Sequence, residues 1–277
     1  MRIVVIGGLS LAGHLICRYL AEETPHELLY THQERANRPR SLYLDAGDPV
    51  MVEQLMRAVR PELIINCHSI MNDAARLRER EAYRVNGLFP HQLAELADQQ
   101  GAKLIQISTD SVFFGDRGMY TERHVPDGTT VYARTKALGE VLRPPHLTLR
   151  TSLLGPDLEA SGLLSWFLAK RGSVKGFVNV AWNGITTLEL AKFIRFVLTE
   201  AFSLSGVVHL TAKETTDKCR LLELVRTVFE KDDIVIQPDD AITLDRTLRC
   251  TRTDVEYRIP TYIDMLTELR EWMISHR

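Results

Sequence analysis

The stretch that most limits the fold stands at the amino terminus. Four apolar residues, Ile3-Val4-Val5-Ile6, run straight into Gly7-Gly8, and Gly13 follows after Leu9-Ser10-Leu11-Ala12. A buried strand that breaks on glycine and reopens as an amphipathic helix is how a β-α-β unit begins. The spacing is that of G-x-x-G-x-x-G with Ser10 in place of the middle glycine. In a dinucleotide site, Gly7 would permit the tight turn and Gly13 would let the helix pack closely on the sheet. The helix N-terminus would then offer free N–H groups to a pyrophosphate. Ser10 costs some room there, but its hydroxyl can donate to a phosphate oxygen. The same residues also serve as a plain strand-to-helix turn, and the turn alone leaves both readings open.

The pattern continues down the first half. Strands are expected at Arg2–Ile6, Glu27–Thr31, Ser41–Leu44, Leu63–Asn66, Lys103–Ser108 and Leu147–Thr151. Helical patterns lie between them at Leu11–Glu22, Pro49–Val59, Ala74–Asp98 and Tyr132–Leu142. This alternation implies crossover connections and an α/β fold, a Rossmann-type doubly wound parallel sheet with helices on both faces. Residues 1–150 are expected to form the dinucleotide-binding domain, and 151–277 mainly a smaller substrate-binding lobe. The second half is less regular. Thr186 and Glu189 have the spacing of a capping box at the head of a helix, a strand follows at Gly206–Leu210, and further helices are expected near Lys218–Phe229 and Ile263–Ser275. Residues near 172–210 are expected to return to the core, so the lobes interleave.

Composition excludes several classes. The formal net charge of the 277-residue chain is -2, which gives no reason to expect nucleic acid or anionic membrane as a partner. No stretch reaches the roughly 18–20 apolar residues of a membrane span. The four cysteines, Cys17, Cys67, Cys219 and Cys250, form no C-x-x-C pair and no zinc spacing, so no metal is expected. A reduced, cytoplasmic location is the default.

Ligands of such sheets bind at the carboxyl ends of the strands. The second strand ends at Thr31-His32, with Arg35, Arg38 and Arg40 following and no acid at the strand end. An acid there would hold a ribose 2′-hydroxyl, whereas arginine suits a 2′-phosphate, so NADPH is favoured over NADH. The fifth strand presents Ser108-Thr109-Asp110, and Tyr132 and Lys136 stand one helical turn apart in "VYARTKALGE". Ketone reduction needs hydride on carbon and a proton on oxygen. Tyrosine is a sluggish acid at pH 7, and a lysine ammonium nearby is expected to bring its pKa down. A threonine hydroxyl would position the carbonyl.

With these residues on the page, the chain resembles the extended short-chain dehydrogenase/reductases, and within them the dTDP-4-dehydrorhamnose reductase family. "IINCHS", "EAYRVNGLFPHQLAELA", "ISTDSVFFGDRGMYTE", "YARTKALGE" and "LRTSLLG" look like successive family segments, as does the ending "DRTLRCTRTDVEYRIPTYIDMLTELREWM". The resemblance implies Thr109, Tyr132 and Lys136 as the catalytic trio. It places a pyrophosphate on Gly7, Ser10, Leu11 and Gly13, with His32 and Arg35 toward the 2′-phosphate. Asp45 and Ala46 would lie near the adenine, Cys67, His68 and Ser69 along the ribose and phosphate path, and Asn86 would support the site. Ser108 and Ser111 are expected beside the substrate, Ser111 standing where the family usually has an aromatic residue or histidine. Trp182 and Asn183 depart from the family pattern and either line a changed sugar pocket or pack the lobe. The implied activity is NADPH-dependent reduction of a nucleotide-linked 4-keto-6-deoxy sugar for polysaccharide or antibiotic-sugar synthesis, with a homodimer left open. A nucleotide-sugar epimerase or dehydratase is disfavoured because Asp110 is followed by Ser111 instead of a second acid. A non-catalytic NADP-binding regulatory subunit is the remaining alternative.

Overall fold

The computed structural model describes residues 1–33, 39–158 and 162–276. Seven parallel strands form the central sheet. In chain order they include β1 (Arg2–Ile6), β2 (Glu27–His32), β3 (Ser41–Tyr43), β4 (Leu63–Asn66), β5 (Lys103–Ile107) and β6 (Leu147–Arg150), and the seventh is Gly206–His209. Across the sheet the order is Gly206–His209, β6, β5, β4, β1, β2, β3. The chain therefore winds outward from β1 in both directions, and the crevice opens where the order reverses, at the carboxyl ends of β1 and β4.

The apolar runs become strands because both faces of the sheet are covered. Successive side chains point to opposite faces, so each strand feeds two cores. Ile3, Val5, Leu63, Ile65, Ile105 and Ile107 belong to one core, with helix α1 (Gly13–Glu23) and the Thr187–Thr199 helix. Val4, Ile6, Ile64 and Leu104 belong to the other, with helix α2 (Pro49–Val59) and the Phe89–Gln100 helix. Local signals set the helix ends. Asp48 accepts from the N–H groups of Val50 and Met51, with Pro49 in the first turn. Thr186 accepts from Glu189 N–H at 3.1 Å, but the Glu189 carboxylate binds Lys192 and Tyr257 and does not close a reciprocal box.

The long helix expected over Ala74–Asp98 is broken. It starts at Asn72–Leu77, restarts at Glu79–Ala82, widens into a π-turn at Tyr83–Leu88, and resumes as Phe89–Gln100. Arg78 leaves helical geometry, at φ -121° and ψ 50°, which makes the first break. The π-turn carries Asn86 inward, where its amide bonds Ile70 and Thr135. Single π-turns of this kind are concentrated at functional sites.

Beyond β6 the chain alternates between core and lobe. The Thr187–Thr199 helix and the Gly206–His209 strand join the central layer. Gly172–Phe177 pairs in parallel with Ile234–Asp239, and Val180–Trp182 pairs with Thr216–Asp217 and Leu244–Asp245. No described helix is long and apolar enough to cross a membrane. Phe193 is fully buried in the core that α1 shares with the sheet, against Phe196 and Tyr257. Phe193→Ala is expected to lower unfolding free energy by roughly 3–5 kcal/mol, measured by urea denaturation.

Candidate active site

The carboxyl ends of β1, β2 and β4 surround a cavity of about 720 Å³. Its wall includes Gly7, Ser10 and Leu11 of the glycine turn, His32 at the end of β2, Ala46, and His68-Ser69 after β4. Gly7 adopts φ +75°, and a Cβ there would lie 2.9 Å from the His68 backbone. At Gly13 a Cβ would come within 2.1 Å of the Gly7 carbonyl oxygen, so only glycine lets α1 start this close to β1. Ser10 Oγ accepts from Gly13 N–H at 3.1 Å, which leaves its own hydrogen free to donate. The substituted serine thus completes the start of the helix.

His32 is buried. Its Nε2 lies 3.0 Å from Ser41 Oγ, while its Nδ1 has no hydrogen-bond partner among the described residues. Arg35 lies outside the described residues. Asp45 is exposed and turns back to accept from Gly47 N–H at 2.8 Å. Burial holds His68 neutral by pushing its pKa down to about 4, and the Lys136 charge works in the same direction. Cys67 is half-buried with its thiol pushed up to about 12, again by burial, so it is no thiolate at neutral pH. Asn86 spends its amide on both backbone groups of Ile70 and on Thr135 Oγ1, so it joins the loop after β4 to the Tyr132 helix.

Thr109, Tyr132 and Lys136 meet at the carboxyl end of β5. Thr109 caps the short Asp110–Val112 turn by accepting from Ser111 N–H. Thr130 caps the Val131–Leu138 helix, which carries both Tyr132 and Lys136. The electrostatics differ from the expected pairing. Lys136 is 4% exposed, and its Nζ donates to the Ile107 carbonyl at 2.7 Å. Burial lowers its pKa to about 8, and the nearby Glu140 carboxylate opposes the fall. The Tyr132 phenol is instead pushed up to about 12, chiefly by burial, with Thr109 hydrogen bonding pulling down and Asp110 pushing up. The lysine ammonium is held at the strand end by the Ile107 carbonyl, and the charge that acts on the phenol is that of Asp110. A tyrosine so placed keeps its proton at neutral pH, as a proton donor must.

The other expected substrate contacts are redistributed. Ser108 is buried because adjacent strand residues face opposite sides, and its hydroxyl donates to Glu140 at 2.7 Å, away from Thr109. Ser111 stays beside Asp110, donating to its carboxylate at 3.2 Å. Asn183 uses both ends of its amide on the Leu248 backbone, at 2.7 and 3.0 Å, and anchors the C-terminal segment. Trp182 is buried, donates to Ser152 Oγ at 2.8 Å and stacks on Tyr262 at 5.6 Å.

The family model described as RmlD substrate binding domain matches residues 1–247. The chain belongs to that family. A dTDP-4-dehydrorhamnose reductase of Mycobacterium tuberculosis (strain CDC 1551 / Oshkosh) is 38% identical over 104 residues, covering 35% of this chain and 33% of the relative. The aligned region thus spans about a third of that protein. A "Probable low-salt glycan biosynthesis reductase Agl14" of Haloferax volcanii is 27% identical over 263 residues, 87% of this chain and 85% of its own. Among solved structures, a dTDP-4-dehydrorhamnose reductase from Bacillus anthracis, crystallised with NADP, superposes with TM-score 0.84. Its identity is 20%, and the match covers 98% of this chain and 99% of that one. At that identity the likeness shows a shared fold.

In this family member, sequence reading missed Lys218 and Arg246. Both act on the Asp110 carboxylate, yet they stand more than a hundred residues beyond it and no local motif marks them. Glu140 was visible only as the end of a motif. It is 3% exposed, as is its partner Arg150, 2.7 Å away. Glu140→Gln is expected to destabilise the fold by about 3–5 kcal/mol, since it leaves a buried guanidinium unpaired. It should also move Lys136 below about 8, because the anion that supports its charge is gone; chemical denaturation and an NMR titration of the lysine side chains check the two effects.

Proposed function

We propose that this chain is an NADPH-dependent reductase that acts on the ketone of a nucleotide-linked 4-keto-6-deoxy sugar, as the names of its relatives indicate for them. The observation that carries the reading is the convergence of Thr109, Tyr132 and Lys136 at the end of β5, next to a glycine-floored crevice. The crevice fits a dinucleotide: the Gly7 and Gly13 positions leave no room for a Cβ, and Ser10 and Leu11, just before α1, line the cavity. The absence of an acid at the end of β2, which closes on Thr31-His32, favours a 2′-phosphate.

Gly7, Ser10 and Leu11 would hold NADPH in the crevice, where it would supply hydride for the carbonyl carbon. Tyr132 supplies the proton to the carbonyl oxygen, and its raised pKa keeps that proton available until charge develops on the oxygen. Thr109, whose hydroxyl donates to Asp110 Oδ1 at 3.2 Å, lies beside the phenol and would turn that hydroxyl to the carbonyl to orient it. Lys136 completes the trio with a positive charge, fixed by the Ile107 carbonyl and the field of Glu140. The phenol regains its proton from solvent after product leaves.

Tyr132→Phe removes the proton donor and is expected to lower kcat by about 10²–10⁴-fold. NADPH oxidation at 340 nm, run with a panel of nucleotide-linked 4-keto-6-deoxy sugars, checks this; undiminished turnover would sink the mechanism. NADPH binding without reduction of any sugar would instead favour a regulatory subunit. In the wild type, kcat/KM should fall as pH rises through about 8, where Lys136 loses its charge, and level off well below that pH.

A further inference from the structure

The cavity continues past the glycine turn to a stretch of wall that the trio does not use. There the wall is apolar, made by Leu44 and Ala46 after β3 and by Ile70 and Met71 after β4. Leu44, Ala46 and Ile70 share one buried core with Ala75 and Ala82 of the broken helix, so packing fixes the two loops against each other. Arg84 donates to the Gly47 carbonyl and ties that helix to the loop after β3. Met71 is 45% exposed, and its thioether is suited to lie against an aromatic ring. The sheet order sets this stretch on the β3 side of the crevice and Tyr132 on the β5 side. A dinucleotide laid over the glycine turn with its reactive ring at Tyr132 brings its other base here.

Arg78 and Glu81 stand in the same wall. Arg78 Nη1 lies 3.3 and 3.4 Å from the two Glu81 carboxylate oxygens. The side chains are 55% and 44% exposed, and an ion pair so solvated adds little to stability. Its place depends on the break in the helix: Arg78 sits at φ -121° and ψ 50°, and Glu81 lies in the piece that restarts after it. The pair sets N–H donors beside a carboxylate acceptor. The edge of adenine is the converse, an exocyclic amine that donates next to a ring nitrogen that accepts. Asp45, a second acid at this end of the crevice, spends Oδ1 on the Gly47 N–H at 2.8 Å.

We propose that Arg78 and Glu81 read the adenine edge of the dinucleotide and make the crevice selective for that base. The Glu81 carboxylate accepts from the exocyclic amine, and the Arg78 guanidinium donates to the adjacent ring nitrogen. This rests on the NADPH reading of the crevice. The carboxylate decides the selectivity. A base with a carbonyl in place of the amine sets oxygen against oxygen there and leaves the anion without its donor. Arg78 aligns Glu81 before the base arrives, and among the described residues only one of its guanidinium nitrogens is engaged in doing so.

The test is calorimetric titration of the full chain, without sugar, with NADPH and with its deamino analogue, in which hypoxanthine replaces adenine. Wild type should bind NADPH about tenfold or more tightly than the analogue, the range of one hydrogen bond to a charged group. Glu81→Gln should bring the two within about threefold, because the amide also offers a donor to the carbonyl. Arg78→Met should narrow the ratio as well, and Asp45→Asn should leave it as in wild type. The preference for NADPH over NADH should be unmoved by Glu81→Gln, since a carboxylate does not hold a 2′-phosphate. Equal binding of NADPH and the analogue by wild type overturns the base reading, as does a ratio that survives Glu81→Gln or is lost in Asp45→Asn alone. A Glu81→Gln effect confined to NADPH over NADH overturns it too. If Arg78→Met loses its circular-dichroism spectrum, the isosteric Glu81→Gln decides by the same criteria. A wild type that binds neither dinucleotide overturns the NADPH reading and the base reading together, whereas one that binds both alike leaves the NADPH reading standing.

Discussion

The buried pair of Glu140 and Arg150 is the interaction on which the site's geometry hangs. Glu140 lies just past the helix that carries Tyr132 and Lys136, and Arg150 ends β6. Two parallel guanidinium bonds of 2.8 and 2.7 Å join them, and Ser108 at the end of β5 donates a third to the same carboxylate. Arg150 also lies 3.3 Å from His209 on the neighbouring strand and stacks over the Phe113 ring. Phe113 in turn stacks on Tyr120, at 4.2 Å between centres. Coulomb attraction alone does not repay the desolvation of such a pair. The saturated hydrogen bonding does much of the rest, and the gain is register: β5, β6, the last strand and the helix of Tyr132 and Lys136 have one mutual arrangement that satisfies every partner.

One physical cause runs through the electrostatics of the site. Desolvation pushes the Tyr132 phenol and the Cys67 thiol up, and pushes His68, Lys136 and Lys218 down. Each group is thereby held nearer its neutral form, and the charges that remain are supported by specific neighbours: Glu140 for Lys136, Asp110 for Lys218. In such an environment a charge that develops during reaction interacts strongly with its surroundings. The smaller lobe is fastened to the sheet by equally specific polar contacts. Asn183 holds the Leu248 backbone, and Glu122 accepts from His209 N–H and from Thr251. Arg246 stands two residues before Leu248 on that fastened segment, whereas Lys218 opens the separate Lys218–Val228 helix.

Much of the central layer was legible from the chain. The apolar runs that became β1, β4 and β5 are short, β-branched and bounded by turn residues, so their periodicity has one reading once both faces are buried. The Pro49–Val59 helix was legible because Asp48 and Pro49 mark its start chemically. The helix over 74–98 misled because apolar spacing does not register a π-turn, whose stability comes from what Asn86 bonds and not from its own segment. Ser108 and Thr109 are adjacent in sequence, and only the strand's pleat assigns one to the buried carboxylate and the other to the phenol.

By itself the sequence determined the parallel doubly wound layer, the glycine turn and the presence of threonine, tyrosine and lysine at spacings that bring them to one sheet end. These depend on interactions within a few residues or on a simple burial period. Tertiary structure alone decided that Lys136 reaches the Ile107 carbonyl, that the phenol's pKa rises, that Asn183 is spent on the backbone, and that Lys218 and Arg246 arrive beside Asp110. Those outcomes turn on desolvation and on contacts across more than a hundred residues, and neither quantity is encoded in local spacing.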